Sequence, residues 1–381
     1  MSKTLVWAVN TCRFVLAATF LFSGFVKAND PLGTTYKIED YLAAWSIQLP
    51  SELFVVMAAI GLAFFEFILG VYLFFGMRRR QISVITLIFM TAMTLLTVYI
   101  AIANPVSDCG CFGDAIVLTN TQTLLKNIVL LAAAVLVFRH CDLQKQIISK
   151  QIYWIISITC ALSILAFASY CIYAQPLIDF RPYKIGADLR QLAAGKSGEQ
   201  PQFNVTIVYK RDGETLELSI DDDDPDSTWT YVETRRTPVK EVNENQIVDF
   251  YIQNDDEDVT QDLLATDGYL FLLIAPTLPS ADESIMDRIN DAYDYTQQND
   301  MEFYCLTASG EEETMHWTEY TGAEYLFYTS DERTLKTIVR ANPGLVILKD
   351  GVIIGKWSNW NFPSVEEIAN GIVGKTQATS L

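Results

Sequence analysis

Histidine is scarce in this chain, and basic residues are scarce in its second half. Two histidines in 381 residues argue against a histidine-rich metal site, so no metal site is assigned. Residues 1–174 carry 11 Lys and Arg against 8 Asp and Glu, whereas the remaining residues carry 16 against 38. The second half therefore has a net charge of −22. Because such a domain repels phosphate backbones, no nucleic-acid partner is expected.

Five apolar stretches are long enough to cross a bilayer, which requires about 20 residues. They are predicted at about Leu5–Val26, Leu53–Gly76, Ile82–Ala103, Leu124–Phe138 with some extension, and Ile152–Ala174. The sequence therefore predicts an α-helical membrane bundle surrounded by lipids, followed by a large acidic region. The segment from Asn29 to Ile47 has the apolar spacing of an amphipathic helix at the membrane interface.

The positions of Lys and Arg predict how the chain crosses the membrane, because cytoplasmic loops are enriched in both. The basic residues lie before the first span and in two short loops: Lys3; Arg78, Arg79 and Arg80; and Arg139, Lys145 and Lys150. We therefore predict a multi-pass protein of the inner (plasma) membrane with its N-terminus in the cytoplasm. The loop 28–49, the loop around residue 109 and the region after about Gln175 would be periplasmic or otherwise extracytoplasmic.

Two ionisable side chains lie inside predicted spans. Arg13 is 14 residues before Lys27, and Glu66 is 14 residues after Glu52. At about 1.5 Å of rise per residue, both would lie about 21 Å below the outer surface. Because an isolated charge is costly at that depth, we predict that Arg13 and Glu66 pair. A structural pair that fixes helix packing is favoured, and a proton or substrate site is the alternative.

The loop between the third and fourth spans carries two cysteines one residue apart, Cys109 and Cys111. In the predicted orientation they face an oxidising compartment, where disulfides persist. A Cys-x-Cys pair closes only as a small strained ring, and strain makes a disulfide easier to reduce, as a carrier of oxidising equivalents needs. Ligation of a soft metal, an inert disulfide and two reduced thiols in a turn remain alternatives.

The first four spans and their loops contain an ordered set of motifs: Phe22-Ser23-Gly24-Phe25-Val26-Lys27, Asp30-Pro31 with the amphipathic segment, the segment 66–76, and Cys109-Gly110-Cys111-Phe112-Gly113. With this set, residues from about 5 to 140 resemble the DoxX/MauE superfamily of membrane proteins. The resemblance implies a four-helix membrane bundle tied to thiol–disulfide or quinone-linked electron flow. In the MauE branch it implies support for disulfide formation in exported proteins. Exported thiol or disulfide proteins would then be partners, and a quinone the cofactor.

The exported half begins with a predicted β-rich module. Strands are predicted at Phe203–Tyr209, Thr215–Ile220, Trp229–Thr234 and Gln246–Ile252, with a hairpin turn at Arg211-Asp212-Gly213. The acidic run Asp221–Asp224 lacks the spacing of a calcium loop and is interpreted as a solvated turn.

Strands and helices alternate from about residue 266 onward. Strands are predicted at Tyr269–Ile274, Met301–Leu306, Tyr325–Tyr328, Leu345–Leu348 and Val352–Lys356, and helices at about Asp282–Gln298, Glu311–Thr318 and Glu332–Arg340. This order resembles the thioredoxin fold over about residues 266–375, and the segment 342–351 resembles its cis-proline loop and hairpin. The resemblance implies a cis Asn342–Pro343 bond and a peptide-binding face at Asn342, Pro343 and Gly344.

Four regions are expected from these patterns. They are a DoxX/MauE-like transmembrane bundle at 1–140, a cytoplasmic loop and fifth span at 141–178, an exported β-rich module at 179–265, and a degenerate thioredoxin-like domain at 266–381. The last is degenerate because the segment 275–281, where a thioredoxin carries Cys-x-x-Cys, has no cysteine. Cys305 stands alone in a predicted strand, so this domain cannot exchange thiols by the thioredoxin mechanism.

Two hypotheses of different classes follow. The first is electron transfer between Cys109 and Cys111 and exported thiol proteins. The second is a non-enzymatic envelope scaffold, in which the bundle is an anchor and the acidic domain a docking platform. The exposed Cys-x-Cys favours the first, and the missing Cys-x-x-Cys favours the second. A transporter based on Arg13 and Glu66 is disfavoured, because five spans show no inverted repeat.

Overall fold

The structure is a computed structural model of the chain. It describes residues 3–47, 51–106, 109–194, 203–211, 214–219, 230–238, 250–254 and 257–373. Within these ranges, five helices are long and apolar enough to cross a membrane. The helices of the N-terminal half are α1 (Lys3–Asn29), α2 (Pro31–Ala44), α3 (Glu52–Phe75), α4 (Arg79–Ala103), α5 (Asn120–Arg139) and α6 (Tyr153–Ala174). The five predicted spans are confirmed as helices α1 and α3 to α6, with ends that differ by a few residues.

The bundle is built on close packing of α1 against α3 and of α4 against α5, with α6 against α1 and α3. Gly24 allows α1 and α3 to approach closely. A Cβ added there would lie 2.7 Å from the carbonyl oxygen of Ala63, so a larger residue would push the helices apart. The apolar centre of the bundle includes Leu16, Leu73 and Val137, each at most 1% exposed.

Helix α2 confirms the helix predicted after the first span. It begins at Pro31, which suits a first helical position because its fixed φ matches the helix and no donor is lost there. The Asp30 carboxylate caps this end by accepting a 2.8 Å hydrogen bond from the backbone N–H of Gly33. Asp30 therefore sets the corner at which the chain turns from α1 into α2.

The first three strands form a small antiparallel sheet. They are β1 (Phe203–Arg211), β2 (Glu214–Ser219) and β3 (Thr230–Pro238), in the order β2-β1-β3. The predicted hairpin and its third strand are thus confirmed in the backbone. The turn residues Asp212 and Gly213, the acidic run Asp221–Asp224, and most of the predicted strand Gln246–Ile252 lie outside the described residues.

The other strands form a seven-stranded mixed sheet, here called the large sheet. They are β4 (Gln253–Asn254), β5 (Glu257–Asp258), β6 (Tyr269–Ala275), β7 (Glu302–Thr307), β8 (Leu326–Thr329), β9 (Gly344–Lys349) and β10 (Val352–Ser358). The order is β10-β9-β6-β7-β8-β4-β5, with β6, β7 and β8 parallel and the other neighbours antiparallel. Strands from both sides of the domain boundary expected at residue 265 share this sheet.

Short helices cover the large sheet. They are α7 (Leu189–Ala194), α8 (Thr260–Leu264), α9 (Met286–Gln298), α10 (Glu311–Thr321), α11 (Glu332–Ile338) and α12 (Val365–Glu367). Phe271 and Leu273 of β6 belong to the core on one face, whereas Leu270 and Leu272 belong to the core on the other. Burial on both faces explains why β6 is a continuous apolar run and not an alternating one.

The domain built on the large sheet, here called the sheet domain, rests on one end of the bundle. The side chain of Asn29 at the end of α1 exchanges hydrogen bonds of 2.8 and 3.0 Å with the backbone of Ile178. Ser358 of β10 donates a hydrogen bond to the carbonyl oxygen of Tyr173 in α6. The end of the bundle that includes α2 and the residue 109–111 loop is therefore the end that carries the sheet domain.

Candidate functional site

The loop between α4 and α5 brings Cys109 and Cys111 into contact. Their Sγ atoms are 3.1 Å apart, and both cysteines are free thiols. This separation exceeds the disulfide bond length of about 2.05 Å by only about 1 Å. Gly110 between them has a φ of +67°, a conformation that residues with a Cβ rarely adopt. A glycine is therefore needed here for the two thiols to turn towards each other.

A buried ion pair lies directly under this loop. Lys27 of α1 contacts Glu66 of α3 at 2.8 Å, and both side chains are at most 5% exposed. Ser23 donates to the same carboxylate oxygen at 2.7 Å. The Lys27 ammonium also donates a 2.8 Å hydrogen bond to the carbonyl oxygen of Cys111, which lies 2.7 Å from the Ser23 hydroxyl. The cysteine loop is thus fixed to a charged cluster in the bundle.

The predicted pair of Arg13 and Glu66 is wrong, because Glu66 pairs with Lys27. Arg13 lies ten residues before Ser23, about 15 Å along α1, and its guanidinium donates to the carbonyl oxygen of Lys145 at the other end of the bundle. The prediction measured depth as if Lys27, near the end of α1, and Glu52, at the start of α3, lay at one surface. Instead, the first turns of α3 extend past the end of α1 and pack beside α2.

Contacts from α2, α1 and α5 hold the rest of the loop. The Tyr41 hydroxyl donates a 3.1 Å hydrogen bond to the carbonyl oxygen of Cys109. The Phe112 ring packs against Phe22 with 5.4 Å between ring centroids, and the Lys126 ammonium lies 4.1 Å above it. The backbone carbonyls of both cysteines and the Phe112 ring are therefore held in place, while the two thiols contact each other.

The two thiols have opposite tendencies to ionise. The contact with the Cys109 sulfur lowers the pKa of Cys111 to about 6, and the positive charges of Lys126 and Lys27 act in the same direction. Burial and the Glu66 charge oppose them. The same sulfur contact, followed by burial, raises the pKa of Cys109. At neutral pH the pair therefore holds one thiolate, centred on Cys111, and a thiolate is the reactive form of cysteine.

The sheet domain reaches this site through Arg340. Its guanidinium contacts the carboxylate of Asp30 at 2.9 Å and that of Asp114, three residues after Cys111, at 3.5 Å. Arg340 is 5% exposed, and the Asp30 charge raises its pKa against the effect of burial. At the rim, Arg333 of α11 pairs with Asp40 of α2. A cavity of about 490 Å³ lies between these elements, and Cys109 is in its wall.

The predicted peptide-binding residues lie on the sheet domain. The Asn342–Pro343 bond is cis, as expected, and Gly344 begins β9. The Asn342 amide donates to the carbonyl oxygen of Thr277 at 2.7 Å and to the Ser280 hydroxyl at 3.1 Å. The hydroxyls of Thr277 and Ser280 are 2.6 Å apart. Two hydroxyls in i, i+3 spacing thus occupy the turn in which cysteines were sought, and that spacing was readable in the sequence.

Sequence reasoning located part of this site. It found Cys109, Cys111 and Glu66, which the structure brings together. It missed the contributions of Lys27, Ser23, Lys126 and Arg340 to the loop. The only sequence signal for the first two was that Lys27 follows Ser23 by four residues, which places both on one face of α1.

Comparison with known proteins identifies one family. Residues 5–139 match the family model described as "Methylamine utilisation protein MauE". The match includes α1 to α5 and the cysteine loop, and it ends before α6. No curated protein and no solved structure matches the chain. The family match and the five apolar helices together indicate a membrane protein whose N-terminal bundle is similar to the MauE family.

Proposed function

We propose that the bundle carries electrons from exported thiol proteins through the Cys109–Cys111 pair to a quinone in the membrane. The observation that carries this proposal is the contact between the two thiols, in a loop whose cysteine carbonyls accept hydrogen bonds from Lys27 and Tyr41. Oxidation of the pair, with loss of two electrons and two protons, requires the two sulfurs to approach by only about 1 Å. The lowered pKa of Cys111 supplies a thiolate for exchange at neutral pH.

The reaction balances as two coupled exchanges. Two substrate thiols reduce the Cys109–Cys111 disulfide, so the substrate gains a disulfide and the pair becomes two thiols. Return of the pair to the disulfide would require an acceptor of two electrons and two protons, which a membrane quinone would supply. A lipid-soluble acceptor suits a loop that lies at the end of an apolar bundle, and the resemblance to the DoxX/MauE superfamily supports the same acceptor.

The proposed orientation places the cysteine loop outside the cytoplasm. The basic loop residues Arg78 to Arg80 and Arg139 to Lys150 connect α3 to α4 and α5 to α6. Arg79 donates a hydrogen bond to the carbonyl oxygen of Asp142, which places the two loops together. Cytoplasmic placement of this basic end makes the sheet domain and the cysteine pair periplasmic or extracytoplasmic.

The sheet domain is proposed to be a thioredoxin-like docking module without its own redox chemistry. Its support is the strand order β10-β9-β6-β7, the parallel β6–β7 pair and the cis Asn342–Pro343 bond before β9. Exported proteins would bind at residues 342–344, next to the Thr277–Ser280 turn. If the thiol pair proves inert, this docking role remains as the scaffold alternative.

The test is the thiol state of Cys109 and Cys111 in intact cells. A membrane-impermeant maleimide should label them only after mild reduction, because the resting pair would be a disulfide. Cys141, which the proposed orientation places in the cytoplasm, is the internal control and should be labelled only after permeabilisation. The Cys109→Ser, Cys111→Ser double variant should abolish the reduction-dependent signal. Free thiols that added oxidant does not change would overturn the redox proposal and favour the scaffold.

A further inference from the structure

The two cysteines of the pair lie against different surroundings. Cys109 and Gly110 line the 490 Å³ cavity between the bundle and the sheet domain, and Cys111 is not among the described residues that line it. A separate small void of about 10 Å³ lies beside both sulfurs and is lined by Phe112, Ile116 and Leu118. Ile116 is 46% exposed, so this apolar side opens to the outside of the bundle.

The cavity beside Cys109 is polar and covered. Among the charged side chains in its lining are six Lys and Arg and six Asp and Glu. Helix α11 forms its roof, with Arg340 bound to Asp30 and Asp114. Cys109 is only 8% exposed beneath this roof. A folded protein cannot reach the sulfur in this arrangement, whereas a narrow polar chain fits a cavity of this volume.

Resting on the redox function proposed above, we propose a fixed order for the exchange. The thiolate of an extended polypeptide segment enters the cavity under α11 and attacks Cys109, and Cys111 is the sulfur displaced towards Lys126. The S–S bond between Cys109 and Cys111 breaks as a bond forms between the substrate sulfur and Cys109. The bonding electron pair leaves on Cys111 as a thiolate. A second substrate thiolate then attacks the substrate sulfur of this mixed disulfide, and Cys109 leaves and takes up a proton.

The chemistry of the pair agrees with this order. In thiol–disulfide exchange the sulfur with the lower pKa is the better leaving group, and the attacked sulfur is the one that the nucleophile can approach. While Cys109 is bonded to the substrate sulfur it has no thiol hydrogen to donate, so the Cys111 thiolate is stabilised in this step by the positive charges of Lys126 and Lys27. Cys111 is the less buried of the two cysteines, but Cys109 is the one that lines the cavity, so a substrate in the cavity meets Cys109 first.

The order is tested by trapping the mixed disulfide on the full-length oxidised protein in nanodiscs. A 12-residue unstructured peptide with one cysteine is mixed with it at pH 7 and quenched with acid after short times. Alkylation and peptide mapping then show which sulfur carries the peptide. The expected result is peptide on Cys109 with Cys111 alkylated, in at least tenfold excess over the reverse. Peptide on Cys111, or an equal division, would overturn the order while leaving the redox function intact.

A small anionic thiol, 2-mercaptoethanesulfonate, separates failure of the order from failure of the function. If neither thiol forms an adduct with either cysteine, the redox function and the order both fail. If the small thiol reacts at Cys109 and the peptide does not, access by an extended polypeptide is overturned.

The route is tested by filling the cavity from either side. Thr34→Trp on α2 and Thr337→Trp on α11 introduce bulk into the lining, and each should slow peptide adduct formation at least tenfold. Met315→Trp places the same side chain on the exposed face of α10 and should leave the rate unchanged. Unaltered rates in both cavity variants would show that the substrate reaches the pair by another path.

Discussion

The cysteine loop and the sheet domain each contain cysteine, in opposite surroundings. Cys305 lies in β7 between Leu273 of β6 and Phe327 of β8, with no exposed surface, and burial alone raises its pKa. Cys111 lies beside a second thiol, an ammonium group and a buried ion pair, and its pKa is lowered to about 6. The first behaves as a small apolar side chain, and the second is prepared to ionise.

This contrast shows where each region contributes. The end of the bundle accepts buried charge, because Lys27, Glu66 and Ser23 satisfy one another and the Cys111 carbonyl. The sheet domain excludes charge from the centre of its sheet, and Arg340 and Arg333 are charged groups through which it contacts the bundle. Chemistry is therefore concentrated in the smaller element, and the larger domain supplies shape and cover.

Alkylation kinetics should separate the two thiols by the largest factor. With the protein reduced at pH 7, Cys111 should react with iodoacetamide at least 10³-fold faster than Cys305, because one is a thiolate and the other a buried thiol. Site-resolved mass spectrometry of timed samples measures both rates in one experiment. Comparable alkylation rates at Cys111 and Cys305 would show that the two thiols do not differ in reactivity as proposed.

Charge removal should destabilise the bundle more than a cavity destabilises the sheet domain. Glu66→Leu leaves the Lys27 ammonium buried without its counter-charge and should cost about 3–5 kcal/mol. Cys305→Ala should cost about 1 kcal/mol. Reversible unfolding in mixed micelles gives both values. The Lys27→Met, Glu66→Leu double variant is the matched control and should recover most of the lost free energy of unfolding. If it does not, the loss in Glu66→Leu comes from altered side-chain packing and not from the unpaired charge.

Loss of Arg340 should uncover Cys109. Arg340→Gln removes charged hydrogen bonds to Asp30 from a buried position and should weaken docking of the sheet domain by about 1.5–3 kcal/mol. Arg333→Gln removes a pair in which the arginine is 64% exposed and should cost less than about 1 kcal/mol. Hydrogen exchange of the α2 amides and maleimide labelling of Cys109 both report undocking. Equal effects of the two variants would contradict the central position of Arg340.

The smallest effect is expected on the pH dependence of Cys111. Because its pKa is lowered, the thiolate is populated at neutral pH and is lost as the pH falls through about 6. Lys126→Met removes a nearby positive charge and should raise the pKa, which reduces the alkylation rate at pH 7 by a factor of about three to ten. Lys150→Met, at the other end of the bundle, should leave the profile unchanged. A profile that moves to lower pH in Lys126→Met would exclude the proposed role of the ammonium group.

Local patterns in the sequence were sufficient to predict the main helices and strands of the fold. Apolar length located α1 and α3 to α6, and alternating strand and helix patterns located β6 to β10 with α9 and α10 between them. The Asn342-Pro343 cis bond was also expected from a local segment. The helices and strands depend on residues that are close in sequence, so propensity and periodicity predict them, whereas the cis bond was expected from the resemblance to the thioredoxin fold.

Contacts between segments that are distant in the sequence could not be predicted from it. The offset between α1 and α3 decides that Glu66 meets Lys27 and not Arg13, and it depends on the length of α2 and on the approach at Gly24. The contacts of Arg340 join positions 226 and 310 residues apart. No periodicity within either segment specifies its partner, so the polar surroundings of the cysteine pair emerged only from the structure.

The 310-residue separation between Asp30 and Arg340 also fixes an order of events during synthesis. At about 5–20 residues per second, a ribosome needs about 15–60 s to add the intervening chain. The corner capped by Asp30 and the cysteine loop can form in the membrane long before α11 exists. Each newly made molecule therefore passes through a period in which its two thiols are uncovered. During that period the thiols are exposed to solvent and to other molecules, because the sheet domain has not yet folded over them.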